Sequence, residues 1–167
     1  IQRLVQEGRW HIMGGWYLQP DCNMPAGESF VRQILLGRQY FQEKFGRVPT
    51  AAINLDPFGH TRGLVQILAR SGYDAYLFCR PGQEDCPLEE DALVWEGYDG
   101  SRVLAVRARG HYLSALGGAR AKAETLMCQR PNLAVDVVLW GVGDHGGGPS
   151  RQDLLALADL MRTTDEV

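Results

Sequence analysis

The sequence predicts an α/β domain built from parallel βα units. Short apolar runs alternate along the chain with stretches of helical periodicity. One run, Val135-Asp136-Val137-Val138-Leu139-Trp140, is nearly continuous and rich in β-branched residues, the pattern of a strand covered on both faces. Three runs end in polar residues that a structural role does not require: Asp56 after Ala51–Leu55, Arg80 after Ala75–Cys79, and Gly141-Val142-Gly143-Asp144-His145 after Val135–Trp140. In parallel α/β folds the carboxyl ends of the strands share one face, and that face carries the site.

Strands are expected at His11–Leu18, Ala51–Leu55, Ala75–Cys79, Val103–Arg107 and Val135–Trp140. Between Glu28 and Phe45, the residues Phe30, Ile34, Phe41 and Phe45 recur on one helical face, and Gly46 offers a stop. Leu64, Ile67 and Leu68 mark a second helix that ends at Gly72. Ala115–Arg130 reads as a third, weakened by Gly117-Gly118. Ser150-Arg151-Gln152-Asp153 opens a fourth with a Ser-x-x-Asp cap, and Leu154, Leu157 and Met161 form its apolar stripe. The acidic, turn-rich stretch Pro81–Leu93 reads as a surface loop, and Asp99-Gly100-Ser101 as a hairpin-type turn. No linker or repeat divides the 167 residues, which read as part of one domain. The chain opens on Ile1 rather than Met and reads as a fragment.

A 45% hydrophobic and 22% charged composition is that of an ordinary globular protein. A net charge of −3 gives no electrostatic reason to expect nucleic acid or an anionic membrane as a partner. No run approaches the roughly 18 apolar residues of a membrane span. The four cysteines, at 22, 79, 86 and 128, form no Cys-x-x-Cys pair. Cys79 lies in an apolar run and reads as a small buried hydrophobe, and a reducing, cytoplasmic (bacterial) setting fits best.

Each polar residue has a plain alternative. Asp56-Pro57-Phe58-Gly59 is also a turn pattern, and Arg80 reads equally as a solvated strand end. His60 reads as a hydrogen-bonded histidine behind a site or in the core rather than as a metal ligand. Trp16 and Phe58 could wall a sugar site or belong to the core. Gly141-Val142-Gly143-Asp144-His145-Gly146 matches the dinucleotide fingerprint, but Asp144 would set a carboxylate against the pyrophosphate, and no acidic strand end follows about 20 residues on. The glycines are better read as letting the backbone turn sharply, so that Asp144 and His145 face one pocket.

Gly14-Gly15-Trp16, Gln19-Pro20-Asp21-Cys22-Asn23, Gly27-Glu28-Ser29, Arg32-Gln33, Asp56-Pro57-Phe58-Gly59-His60, Ser71-Gly72-Tyr73 and Gly143-Asp144-His145-Gly146-Gly147-Gly148-Pro149 occur in order. This set resembles the N-terminal catalytic domain of glycoside hydrolase family 38, the retaining class II α-mannosidases, and most of all its bacterial members. The resemblance runs from about Glu7 to about Met161. It implies a seven-stranded β/α barrel-like domain, of which residues 1–167 are a part lacking its N- and C-terminal portions. It also implies one Zn²⁺, with Asp56 as both nucleophile and ligand and His145 as a further ligand. Asp144 becomes the candidate general acid/base, Arg80 and Phe58 contacts to the substrate site, and Trp16 and Asp21 weaker carry-overs. The family's first zinc motif, His-x-Asp, is not in these residues and is expected before Ile1.

The implied activity is hydrolysis of terminal α-linked mannose from oligosaccharides or glycans, with an α-mannoside carbohydrate as the partner. The oligomeric state stays open, a homodimer of the full-length protein being one outcome. Two other readings remain: a zinc-dependent polysaccharide deacetylase-like enzyme, in which Asp56 would be a base, and an inactive carbohydrate-binding fragment.

Overall fold

The computed structural model describes residues 1–130, 135–143 and 147–164. The chain forms two compact units, residues 1–107 and 108–167. The first contains helices α1 (Gln2–Gln6) and α2 (Gly27–Phe45), strand β1 (Ala51–Asn54), helix α3 (Gly63–Arg70) and strands β2 (Ala75–Phe78), β3 (Ala92–Glu96) and β4 (Arg102–Arg107). The strands make one sheet in the order β1-β2-β4-β3. β1, β2 and β4 are parallel, with Asn54 opposite Phe78 and Phe78 opposite Arg107. β3 closes the edge as an antiparallel hairpin partner of β4, with Leu93 opposite Ala105.

Alternation along the strands decides the core. Ala52 and Asn54 of β1, Tyr76 and Phe78 of β2, and Val103, Ala105 and Arg107 of β4 are buried. Leu64, Val65 and Leu68 of α3 join this cluster fully buried. Each such side chain contributes about 1.5–3 kcal/mol by leaving water. On α2 the buried positions are Phe30, Ile34 and Gly37, whereas Phe41 and Phe45 are only half-buried. The expected stripe therefore seats its first half in the core. The turn at Gly97–Ser101 matches the expected hairpin: Gly97 N–H donates to the Ser101 carbonyl at 2.8 Å, and Asp99 Oδ1 accepts from Ser101 N–H at 3.0 Å.

His11–Leu18 is not a strand. Gly14 and Gly15 take φ of 89° and 86°, which a β ladder cannot hold. The segment instead lies across α2, where Tyr17 N–H donates to the Gln33 carbonyl at 3.1 Å and Leu18 N–H to Gln33 Oε1 at 2.8 Å. The stretch expected as a surface loop, Pro81–Leu93, runs into β3 at its end, and it is anchored rather than free. Arg107 reaches it from the sheet's buried face, donating from Nε to Asp91 Oδ1 at 2.9 Å, to the Cys86 carbonyl at 2.7 Å and to Gln83 Oε1. The Arg107 and Asp91 side chains are 3% and 6% exposed, so the pair is desolvated.

In the second unit, helices α4 (Ala119–Gln129) and α5 (Arg151–Thr163) pack together. Val135–Trp140 is not a strand either: Val138 makes a single bridge to Arg109. Its polar groups find side chains in place of a ladder. Asp136 Oδ1 accepts from Val137 N–H at 2.7 Å, and the Leu139 carbonyl accepts from Lys122 Nζ at 2.7 Å. The Ser150 cap forms as expected, Oγ accepting from Asp153 N–H at 3.0 Å. The apolar stripe is rotated, however. Leu154 and Met161 are exposed, and the buried residues of α5 are Asp153 and Leu160. Asp153 faces inward because it caps α4: its carboxylate accepts from Gly117 N–H at 3.2 Å and Ala119 N–H at 3.0 Å, and from the Ser150 hydroxyl at 2.5 Å. The Ser150 hydroxyl and these backbone donors hold its carboxyl below the usual carboxylate range.

Two outcomes follow. Asp91→Ala strands the Arg107 charge in the core and should lower the unfolding free energy by about 3–5 kcal/mol in a urea titration; a loss near zero would show the pair to be solvated. The Asp153 contribution is present above the ordinary carboxylate value of about 3.9 and is lost as pH falls through its lower folded value. Melting temperature should therefore drop below about pH 4, and Asp153→Asn should flatten that part of the profile.

Candidate functional site

β1 and β2 each release the chain just before a charged residue. Past Asn54 the backbone turns through Leu55 to Asp56-Pro57, and past Phe78 through Cys79 to Arg80. The two side chains meet: Arg80 Nε lies 3.0 Å from Asp56 Oδ1. The side chains are 41% and 37% exposed, so the pair adds only about 0–1 kcal/mol to folding. Oδ1 itself is buried and accepts no aligned hydrogen bond among the described residues. The 3.0 Å approach is thus an ion pair without a directed hydrogen bond, and the exposed part of the Asp56 side chain lies away from Oδ1.

The loop 19–24 packs beside this corner. Gln19 Oε1 accepts from Leu55 N–H at 3.1 Å, and Asn54 Nδ2 donates to the Pro20 carbonyl at 3.1 Å. Gly59 gives the loop room, because a Cβ there would overlap the Asn23 side chain. Asp21 turns its carboxylate back on the loop, Oδ1 accepting from Asn23 N–H at 3.0 Å. Phe58, two residues beyond Asp56, stands 78% exposed, an apolar face open to a ligand. Trp16 is 9% exposed, and its indole N–H donates to the Ile53 carbonyl at 2.6 Å. The Trp16 ring therefore lies in the wall beneath the strand end.

Behind the ion pair runs a polar network that the sequence did not announce. His60 Nε2 lies 2.6 Å from the Arg80 carbonyl oxygen, and the Tyr76 hydroxyl lies 3.0 Å from His60 Nδ1. Tyr76 continues to Cys22 Sγ at 4.0 Å, and Asn54 Nδ2 donates to that sulfur at 3.1 Å. Burial pushes the His60 pKa down and those of Tyr76 and Cys22 up, so all three are neutral near pH 7. Tyr76 and Asn54 sit at buried strand positions that read as core, which is why residue type alone did not single them out. The period-2 pattern places both on one face and was the available signal.

Asp56, a carboxylate whose side chain is 37% exposed, is of a type that fits a metal. His60 does not, because both ring nitrogens are already engaged. Among the described residues no group of three His, Cys, Asp or Glu side chains could hold a metal ion, so they do not by themselves make a complete site. Asp144 and His145 lie outside the described residues. Flanking them, Val142 N–H donates to the Gly148 carbonyl at 3.0 Å.

Comparison with known proteins gives this corner a family. The model of the glycosyl hydrolases family 38 N-terminal domain matches residues 1–165. Alpha-mannosidase 2C1 of Homo sapiens is 31% identical over 166 residues, covering 98% of this chain and 16% of that protein. Alpha-mannosidase G of Dictyostelium discoideum is 30% identical over 156 residues, covering 90% and 14%. The chain thus spans about a sixth of the length of these relatives. An alpha-mannosidase crystal structure from Enterococcus faecalis shares the fold with a TM-score of 0.69 at 22% identity, over 97% of this chain and 19% of that one. With its charged pair at the ends of adjacent parallel strands and the family match running almost end to end, this chain belongs to glycosyl hydrolases family 38, within the N-terminal domain.

Proposed function

We propose that this chain is the nucleophile-bearing part of a retaining α-mannosidase that removes terminal α-linked mannose from oligosaccharides or glycans. The observation that carries the reading is Asp56: a carboxylate at a strand's carboxyl end, 37% exposed and paired with Arg80 from the neighbouring parallel strand. A carboxylate with few hydrogen-bond donors is a stronger nucleophile than one that is fully hydrogen-bonded. Asp56 attacks the anomeric carbon and displaces the aglycone to form a glycosyl ester. Asp144 protonates the leaving oxygen and then takes a proton from the water that cleaves the ester. Such a pair requires carboxyl groups about 5–5.5 Å apart. Phe58 offers its exposed ring to an apolar face of the sugar.

The same reading includes Zn²⁺, with Asp56 and His145 among its ligands and further ligands from residues other than those described. When bound, the ion would hold sugar hydroxyls and offset charge. The parallel strands β1, β2 and β4 fit a seven-stranded β/α barrel-like domain with its mouth at Asp56. The same reading includes a reducing, cytoplasmic setting.

In the whole protein, Asp56→Ala should abolish turnover of an aryl α-mannoside while the circular dichroism spectrum stays unchanged; near-normal turnover rejects the assignment. Metal analysis should return one zinc per chain, and dialysis against a chelator should remove both zinc and turnover. Full activity in a zinc-free preparation would remove the metal from the proposal.

A further inference from the structure

We propose that Tyr76 and His60 are positioning residues for the Asp56 carboxylate, acting by fixing the Arg80 carbonyl and so the direction from which the Arg80 guanidinium meets it. This rests on the reading of Asp56 as the nucleophile. β2 pairing ends at Phe78, two residues before Arg80. Beyond that point the strand no longer sets the orientation of the peptide, and the root from which the Arg80 side chain reaches Asp56 needs another anchor. The His60 imidazole supplies the constraint, 2.6 Å from the Arg80 carbonyl oxygen.

The imidazole is itself held on all sides. The rings of Tyr76, Phe78 and Trp95 meet it edge-on, with centroids 5.7, 5.2 and 6.1 Å away. Its other nitrogen is bound by the hydroxyl of Tyr76, a residue 1% exposed in the sheet's core. His60 belongs to a loop by sequence but is anchored to β2 by contact.

The direction of each proton follows from valence. A carbonyl only accepts, so His60 Nε2 carries a hydrogen and donates to Arg80. A neutral imidazole then accepts at Nδ1, so the Tyr76 hydroxyl donates there. The Tyr76 oxygen is left to accept from the Cys22 thiol, and the Cys22 sulfur accepts from Asn54 Nδ2–H. Every bond from Asn54 through Cys22, Tyr76 and His60 to Arg80 points the same way. No link reverses alone, because the last acceptor cannot donate. The chain starts two residues before Asp56 on β1 and ends on the arginine that faces Asp56 from β2, so it ties the two halves of the ion pair from behind.

The test measures steady-state hydrolysis of an aryl α-mannoside by the whole protein, well below each variant's melting temperature. Tyr76→Phe removes one hydroxyl and keeps the ring. Its kcat should fall by about 10–100-fold, as misplacement of a reacting group does, a larger change than any in KM, because Tyr76 is buried and touches no substrate itself. His60→Gln keeps one donor and one acceptor at the imidazole's spacing and should stay within about tenfold of the parent, whereas His60→Leu should fall at least as far as Tyr76→Phe. Should His60→Leu fail to fold, Tyr76→Phe decides alone. Parental kcat in Tyr76→Phe overturns the proposal, as does His60→Gln falling as far as His60→Leu. So does a change confined to melting temperature, which marks a purely structural role. Asp56→Asn run in parallel separates the two levels: full activity there removes the nucleophile reading, whereas loss there with a normal Tyr76→Phe removes only the positioning role.

Discussion

β1 and β2 run parallel with Asn54 opposite Phe78, and two residues further on each chain reaches a charged side chain. Asp56 and Arg80 meet because the register is matched. In a parallel pair both strands leave the sheet at the same edge, so side chains 24 positions apart in sequence arrive together without any long-range signal between them. A slip of one residue would turn Ala52 and Asn54 off the buried face and move Asp56 away from Arg80. The register is held from the core side by Ala52, Tyr76 and Phe78 under α3, and from the polar side by the Asn54, Tyr76 and His60 network.

That arrangement separates stability from chemistry. The well-buried ion pair, Arg107 with Asp91, anchors the segment before β3 and contributes to holding the sheet edge. The half-exposed pair, Asp56 with Arg80, adds little to folding. A carboxylate that works as a nucleophile must stay reachable and must not be saturated with donors. Under the proposed reading, the partly open Asp56 side chain, with Arg80 on one oxygen, is compatible with both demands. The aromatic rings around His60 serve the same end, since they exclude water from the bonds that orient Arg80.

Elements whose backbone and side chains ask for the same conformation were legible. Ala51–Asn54, Ala75–Phe78 and Arg102–Arg107 are strands within a residue or so of the expected bounds, and α2 ends at Gly46 as its pattern implied. Two expected strands did not form, each for a local reason. Gly14 and Gly15 take left-handed dihedrals, and the residues around Leu139 give their polar groups to Asp136 and Lys122. The α5 stripe was misplaced because a buried aspartate, Asp153, outweighs a leucine when the N-terminus of α4 needs an acceptor.

The sequence by itself determined the family, because a motif such as Asp56-Pro57-Phe58-Gly59-His60 is local and is read without knowing what it meets. The tertiary structure alone decided which residues meet. It set Arg80 on Asp56, sent Trp16 into the wall, and showed His60 reaching across to Tyr76 and the Arg80 carbonyl. Those are contacts between residues 16 to 37 positions apart. Strand register and burial fix them, and neither is written in any single stretch of chain.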